Sequence, residues 1–387
     1  MNIIKEPSYP IRPTVCEIDL AALRNNLFIL RRKAGNACKI MAVVKADAYG
    51  HGATEVAKLL EDENVDFFAV AILEEALRLR SDGIKTPIII LGGILDGQEG
   101  AIFDYDLTPM VFSLESMRRI EEEGRRRGIS RKVHVKIDTG MGRLGIQPEE
   151  VKGFFSEIGA MENIELEGVA THFSCADFTP GSEEAAFTRL QIERFKECIA
   201  GIESLGFHIP LIHTANSAAI LNFPDSIFNL VRPGIMLYGS YPSPLVERIE
   251  GLKGVMSFKT KIIDLKDVDE GFGLSYGRTY ITSARQRIAV IPVGYADGYR
   301  RELSNKGVAL VRGKRAGVAG KVCMDMTMLD VTGIKGAQNG DEVYLFGGEG
   351  TDVISIDEFA EAVGTIPYEV MCGISQRVPR VYLDKEE

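Results

Sequence analysis

Residues 41–52 read MAVVKADAYGHG: Lys45 ends an apolar run and is followed by a small-residue turn with Tyr49 and two glycines. A lysine amine partly shielded from water shifts toward its neutral form, a nucleophile that attacks carbonyl carbon and forms Schiff bases. A strand-end lysine can equally snorkel its ammonium into solvent, so Lys45 by itself leaves both readings open. Polar residues recur at the ends of later apolar runs: Lys136 and Arg143, then His172, then Asn216 with Ser217, then Arg232 with Gly234. In HTANSAAI, Asn216 and Ser217 open a helical stretch, where backbone N–H groups point outward; Ser217 also reads as a plain cap. In RPGIMLYG, Gly234 allows the backbone to approach an anion closely. Two such strand ends side by side make a phosphate pocket. A nucleophilic lysine opposite a phosphate cradle points to pyridoxal 5′-phosphate (PLP) held as a Schiff base.

To converge, these residues need a scaffold that gathers strand ends on one face. From about residue 39 to 235 a short apolar run, a turn and a helical stretch recur. The runs KIMAVVKA, FFAVAI, PIIILGG, LTPMVF, KVHVKIDT, IELEGVATHF, IPLIHTA and FNLVRPG make eight strands, several apolar at consecutive positions, as in parallel strands covered on both faces. Among the helices, 187–206 spaces Phe187, Leu190, Phe195, Ile199 and Ile202 for one buried face and ends at Gly206. Eight strand–helix units predict an α/β fold with an N-terminal (β/α)8 TIM-type barrel; a doubly wound open sheet is the alternative. After Tyr238 the pattern turns to alternating segments such as MSFKTKIIDL, RIAVIPVGYA and DEVYLF. This predicts a mainly antiparallel β C-terminal domain. The expected division is 14–250 for the barrel and 251–387 for the β domain, with residues 1–13 an extension packing on the latter.

Composition excludes several classes. With 26% charged residues, 45% hydrophobic residues and a net charge of −10, the chain shows no basic, aromatic-interleaved stretch for nucleic acid. No apolar run is long enough to span a bilayer, and the first residues lack a secretory h-region. The six cysteines are scattered without a C-x-x-C pair, which predicts reduced thiols in a cytoplasmic protein, and five histidines without H-E-x-x-H suggest no metal.

AVVKADAYGHG, KIDTGMGRLG, THFSCAD, HTANSA, VRPGIMLYG, SYGRTY, VGYADGY, KVCMDM and PYEVMCGISQRVPR together resemble, in order from about residue 14 to 383, the alanine racemase family. The resemblance implies a PLP enzyme that interconverts L- and D-alanine and supplies D-alanine for peptidoglycan. Lys45 would be the Schiff-base lysine and the acid or base on the D face. Tyr276 would be the opposing base on the L face, reaching the site from a partner subunit of a head-to-tail homodimer. Racemisation needs one group that removes the Cα proton and another that supplies one. His172 would lie beside Tyr276 with Arg232 behind it, a nearby cation favouring the tyrosinate. Arg232 would also meet the pyridine nitrogen; because an arginine keeps its proton, that nitrogen should stay unprotonated, which weakens the electron sink and discourages transamination.

By the same resemblance Tyr49, Ser217, Gly234, Ile235 and Tyr368 would contact the phosphate. Arg143 and the Met324 N–H would hold the substrate carboxylate, and Lys136 matches a lysine often carbamylated to balance Arg143. Asp177, Tyr295, Arg301 and Ile366 would line the substrate corridor, although Tyr295 and Ile366 also read as packing residues.

Three rivals remain in view. GMGRLG at 140–145 is a literal G-x-G-x-x-G, but it follows the fifth strand rather than opening a dinucleotide-binding βαβ unit. A PLP amino-acid decarboxylase of the same layout would use Cys323 in KVCMDM. A non-enzymatic PLP carrier would lack the second domain. A small apolar pocket discriminates against one added hydroxyl by only ~10²-fold, so an alanine/serine racemase is a further reading.

Overall fold

The structure is a computed structural model and describes residues 12–348 and 352–384. The expectation for residues 1–13 therefore lies almost wholly outside the described residues. The chain divides into two units, Ala22–Lys253 and the residues on either side of it. The first strand, β1 (Val15–Asp19), belongs to the flanking unit.

Eight strands then follow in the central unit: β2 (Lys39–Val43), β3 (Phe67–Val70), β4 (Ile88–Ile90), β5 (Leu107–Val111), β6 (Arg131–Lys136), β7 (Ile164–Ala170), β8 (Leu211–His213) and β9 (Leu230–Val231). Each coincides with one of the eight apolar runs. They pair in parallel in the order β8-β7-β6-β5-β4-β3-β2-β9, and a parallel bridge between Asn216 and Arg232 joins the two ends. The result is a closed barrel rather than an open sheet, and it places the ends of β2, β6, β7, β8 and β9 around one rim.

The connecting helices begin and end as their sequences dictate. Ser113 caps Leu114–Arg127 by accepting the Ser116 N–H at 3.2 Å; Arg125, Arg126 and Arg127 fill its last turn, and Gly128 ends it at φ 67°. Ser182 caps Glu183–Ser204, with Glu183 and Glu184 at the electropositive end. The buried stripe of this helix differs from the expected one. It runs Ala185, Thr188, Gln191, Ile192, Phe195, Cys198, Ile199 and Ile202, and Leu190 is 45% exposed. Leu190 lies five residues before Phe195, a step that turns it off the face that i, i+3 and i+4 neighbours share.

The flanking unit is a nine-stranded sheet. Its further strands are β10 (Met256–Lys261), β11 (Asp264–Val268), β14 (Gln286–Ile291), β15 (Val308–Val311), β16 (Lys314–Val318), β17 (Thr327–Asp330), β18 (Glu342–Phe346) and β19 (Arg380–Leu383); β12 (Gly273–Leu274) and β13 (Tyr280–Ile281) form a separate hairpin. Every pairing is antiparallel except β1 with β19. β1 lies between β10 and β19, with Cys16 opposite Phe258 and Arg380. The barrel unit thus starts at Ala22 rather than at residue 14. The five residues VCEID alternate inward and outward as one strand, but they run straight into the helix Leu20–Ala34 with no turn residue to mark the change.

Candidate active site

Lys45 follows β2 and opens an unusual segment. Ala46, Asp47 and Ala48 have φ of 52–54° and ψ of 47–50°, and Tyr49 has φ 54°, so four non-glycine residues form one turn of left-handed helix. Each costs about 1–2 kcal/mol relative to the right-handed region, so something must hold the turn in place. Glu75 does so from the next strand–helix unit: its two carboxylate oxygens accept the Ala46 and Ala71 N–H groups, each at 2.7 Å. Asp47 accepts the Ala53 N–H at 2.8 Å, and the Tyr238 hydroxyl donates to the Val43 carbonyl at 2.9 Å. Four successive strained residues directly after Lys45, ending at Tyr49, mark a segment whose geometry matters more than its stability.

Tyr49 reaches the end of β9. A Cβ added at Gly234 would stand 2.5 Å from the Tyr49 hydroxyl, so only glycine permits that approach. The Ser217 hydroxyl accepts the Gly234 N–H at 2.9 Å. The next N–H, of buried Ile235, has no acceptor among the described residues. Asn216, not Ser217, is the cap of the short helix Ser217–Asn222, accepting the Ala219 N–H at 3.0 Å. Ser217 is thereby left facing β9.

Arg232 directly follows β9 and is buried. Its Nη1 donates to the His213 carbonyl and to His213 Nδ1, both at 2.8 Å. Its Nη2 serves the Thr171 and Thr214 carbonyls at 2.9 Å and His172 Nδ1 at 3.2 Å. Both terminal nitrogens are thus committed to the protein, and Nε has no acceptor among the described residues. Burial lowers the Arg232 guanidinium to about 10, still protonated at neutral pH. Burial, and then the charge of Arg232, holds His172 well below the usual imidazole range. His172 is therefore neutral, with Nδ1 accepting from Arg232 and its proton on Nε2.

Lys136 is buried at the end of β6. Burial, then the charges of Arg143 and Arg232, pulls its amine down to about 8, with Lys45 adding to the effect. Arg143 projects from the loop after β6, which is built around Asp138. The Asp138 carboxylate accepts the N–H groups of Gly140 at 3.0 Å, Met141 at 2.7 Å, Gly142 at 3.1 Å and Arg143 at 3.1 Å. Burial raises this carboxyl, but the four donors outweigh it and hold it below the usual range. The G-x-G-x-x-G run therefore spends its N–H groups on its own aspartate, which removes the dinucleotide reading. Buried Gln191 ties the same region together, donating to the His172 carbonyl at 3.2 Å and accepting the Ser174 N–H at 3.1 Å. Asp177 is half-buried beyond it.

In the β unit, Tyr276 is 71% exposed and Met324 is 52% exposed. Ser275, just before Tyr276, sits at φ 60°, ψ −175°, a region used almost only by glycine. Its hydroxyl donates to the Lys321 carbonyl at 2.7 Å, and a Cβ at Gly320 would stand 2.7 Å from its own Cβ. Gly294 packs directly on the Cys323 and Met324 carbonyls, leaving no room for a side chain. Those two carbonyls accept the Tyr295 and Ala296 N–H groups at 3.0 and 3.1 Å. The Met324 N–H has no acceptor among the described residues. Tyr295 is 42% and Ile366 55% exposed, so neither is a packing residue in this unit; Arg301 is exposed and Tyr368 half-buried. Cys323 Sγ donates to the Lys321 carbonyl at 3.5 Å and stands 3.6 Å from the Ser275 hydroxyl.

Several supporting residues escaped the sequence reading: Glu75, Asp138, Gln191 and His213. Asp138 alone had a legible signal, an aspartate directly before a glycine-rich turn. The others reach partners distant in sequence: Glu75 meets Ala46 29 residues away, and Gln191 meets His172 and His213 meets Arg232, each 19 residues away.

Comparison with known proteins agrees over nearly the whole chain. Residues 18–242 match the family model of the alanine racemase N-terminal domain, and residues 255–382 that of the C-terminal domain. An alanine racemase of Halothermothrix orenii is 47% identical over 97% of this chain and 98% of its own length. One of Geobacter sp. strain M21 is 48% identical over 96% of this chain and 99% of its own. The solved alanine racemase of Clostridium difficile 630 superposes with a TM-score of 0.91 at 42% identity, covering 97% of each chain. With both domain models matched in order and the barrel rim arranged as described, the chain belongs to the alanine racemase family.

Proposed function

We propose that this chain, which interconverts L- and D-alanine as its family does, moves the Cα proton between Lys45 on one face of the substrate and Tyr276 of a second copy on the other. The arrangement of Arg232 carries the reading: it spends Nη1 and Nη2 on the protein and keeps Nε for one further acceptor. PLP fits the residues present. Its phosphate would take the buried Ile235 N–H, which lacks an acceptor, beside Ser217, Asn216, Gly234 and the Tyr49 hydroxyl. Its ring nitrogen would accept from Arg232 Nε, and Lys45 would hold it covalently. When bound, PLP would acidify the substrate Cα–H by accepting the electron pair left behind.

The protein's own groups do the rest. Arg143 and the Met324 N–H orient the substrate carboxylate, an arginine fork being suited to it. Lys45 Nζ takes or returns the proton on the D side. His172, its Nε2–H fixed by Arg232, would donate to the Tyr276 oxygen and help it hold charge while it acts on the L side. A lysine amine near 8 is neutral often enough to react with carbon dioxide, which supports a carbamate on Lys136 facing Arg143. Asp177, Tyr295, Arg301 and Ile366 are assigned to the corridor and Tyr368 to the phosphate on the resemblance. Exposed Tyr276, Met324 and Ile366 support a homodimer that covers them.

D-Alanine is a building block of peptidoglycan, and that supply is the role we assign. All six cysteines are reduced thiols, in keeping with a reducing cytoplasm, and among the described residues no helix is long and apolar enough to cross a membrane. Proton NMR of L-alanine in D2O tests the reading with PLP-loaded protein beside Lys45→Ala. Loss of the Cα–H signal only in the intact protein, without ethylamine, is expected. An unchanged signal refutes alanine as substrate and turns attention to serine and the basic amino acids.

A further inference from the structure

Arg232 is a buried cation with no carboxylate in contact: its partners are three carbonyls and two imidazole nitrogens. A guanidinium only donates, so the atom facing Nη1, His213 Nδ1, must be unprotonated. A neutral His213 then carries its proton on Nε2, 2.7 Å from His134 Nδ1. That nitrogen must in turn be unprotonated, which puts the His134 proton on Nε2, 3.1 Å from Glu167 Oε2. The other Glu167 oxygen takes Lys132 Nζ at 2.9 Å, at the solvent end of the row. Glu165 and Asp106 also bear on Lys132, and the charged groups that act on the two histidines are Glu167, Arg232 and Lys132. Every donor in the row points one way, from Arg232 through His213 and His134 to Glu167.

The barrel wall is built around this row. The register of β6 against β7 shifts between Val133 and His134. Opposite lies Gly168, where a Cβ would stand 2.6 Å from His134 Nδ1. Both rings are fully buried, and burial lowers both imidazoles, so neither carries a competing charge.

We propose that His213, His134 and Glu167 are positioning residues for Arg232: a one-directional hydrogen-bond row that places the counter-charge of the guanidinium two imidazoles away. The arrangement suits a cation that must serve a ring nitrogen. A carboxylate in direct contact would turn the guanidinium toward itself and neutralise its field. A carboxylate at the far end of a polarisable row stabilises the charge and leaves Nε free. Glu167 thereby fixes the rotation of Arg232, and through it the tautomer of His172. The kinetic consequence rests on the reading of Arg232 as the ring-nitrogen donor; the row itself does not.

The test has an arm for each. In apoprotein carrying 15N-labelled histidine, both His134 and His213 should show protonated Nε2 and bare Nδ1 with no titration between pH 6 and 9. A proton on Nδ1 of either ring, or titration of either, overturns the row. In the PLP-loaded enzyme, Glu167→Gln keeps the shape and removes the charge. It should lower kcat about tenfold with less than about a twofold change in the KM for alanine, and shift the 15N signal of labelled cofactor ring nitrogen. A fall in Tm with kcat and that signal unchanged makes Glu167 merely structural and overturns the proposal. Glu167→Asp should restore part of kcat and move the ring signal back. Arg232→Lys is the reference: if it leaves the ring signal where it was, the reading of Arg232 fails, and the row is judged on the apoprotein histidines alone.

Discussion

The two units carry their site residues in opposite ways. In the barrel unit Arg232, Lys136, Ser217 and Gly234 are buried and tied to neighbours; burial sets the ionisation of Arg232, and burial with the charges of Arg143 and Arg232 sets that of Lys136. In the β unit Tyr276, Met324, Tyr295 and Ile366 stand exposed, Tyr276 beside the strained Ser275. A buried cation must be satisfied within its own chain or it would not fold there. An exposed tyrosine needs no such partner, and only the turn beside it is tied down, by the Ser275 hydroxyl on the Lys321 carbonyl. The contrast teaches that one unit settles its polar groups within itself, whereas the other presents its candidate residues to solvent.

The largest test of this contrast uses one variant from each unit. Lys45→Ala and Tyr276→Phe should each lose at least about 10³-fold in racemisation. Mixed and allowed to exchange subunits, the two should recover about a quarter of the wild-type rate. Half of the dimers would then be mixed, each with one intact site. No recovery would break the comparison, since both halves would then act within one chain.

Asp138→Asn should raise the KM for alanine about tenfold with a smaller change in kcat, because it loosens the four N–H groups that aim Arg143. It should also remove part of the acid sensitivity. The Asp138 carboxyl is held below its unfolded value, so its stabilisation is present above about pH 3.9 and lost as pH falls through the folded value. Thermal melts from pH 6 to 3 should flatten in the variant.

Carbamate on Lys136, followed by 13C NMR at fixed dissolved CO2, should increase as pH rises through about 8, since only the neutral amine reacts. Occupancy independent of pH between 7 and 9 would mean the amine is not tuned by its cationic neighbours. The smallest effect belongs to the β unit. Ser275→Ala removes the bond to the Lys321 carbonyl and should cost about 1 kcal/mol, read as a Tm shift of a few degrees. The exposed loop should lose activity more than the melt suggests.

Legibility followed locality. The eight barrel strands were readable because each is a run of apolar residues covered on both faces, and the site lysines, arginines and histidine stand at their ends. β1 was not, because VCEID is short and abuts a helix, and its partners lie more than 200 residues away in β10 and β19. Leu190 fell on the wrong face because five-residue spacing looks apolar-periodic in a short window. Glu75 and His213 looked like ordinary residues of a helix and a strand; what sets them apart is the atom each meets.

Residue types at strand ends, a glycine at 234 that lets backbone approach an anion closely, and two successive textures along the chain were determined by the sequence alone. They are local properties: apolar period, turn chemistry and side-chain inventory travel with the residue. Tertiary structure decided which groups are charged and which way each hydrogen bond runs. The Lys136 amine is pulled down to about 8, and His172 and His213 are held as neutral tautomers, only because folding removes them from water and sets them against Arg232. Ionisation depends on solvent exposure and on charges a few ångströms away, and neither distance exists until the chain has closed its barrel.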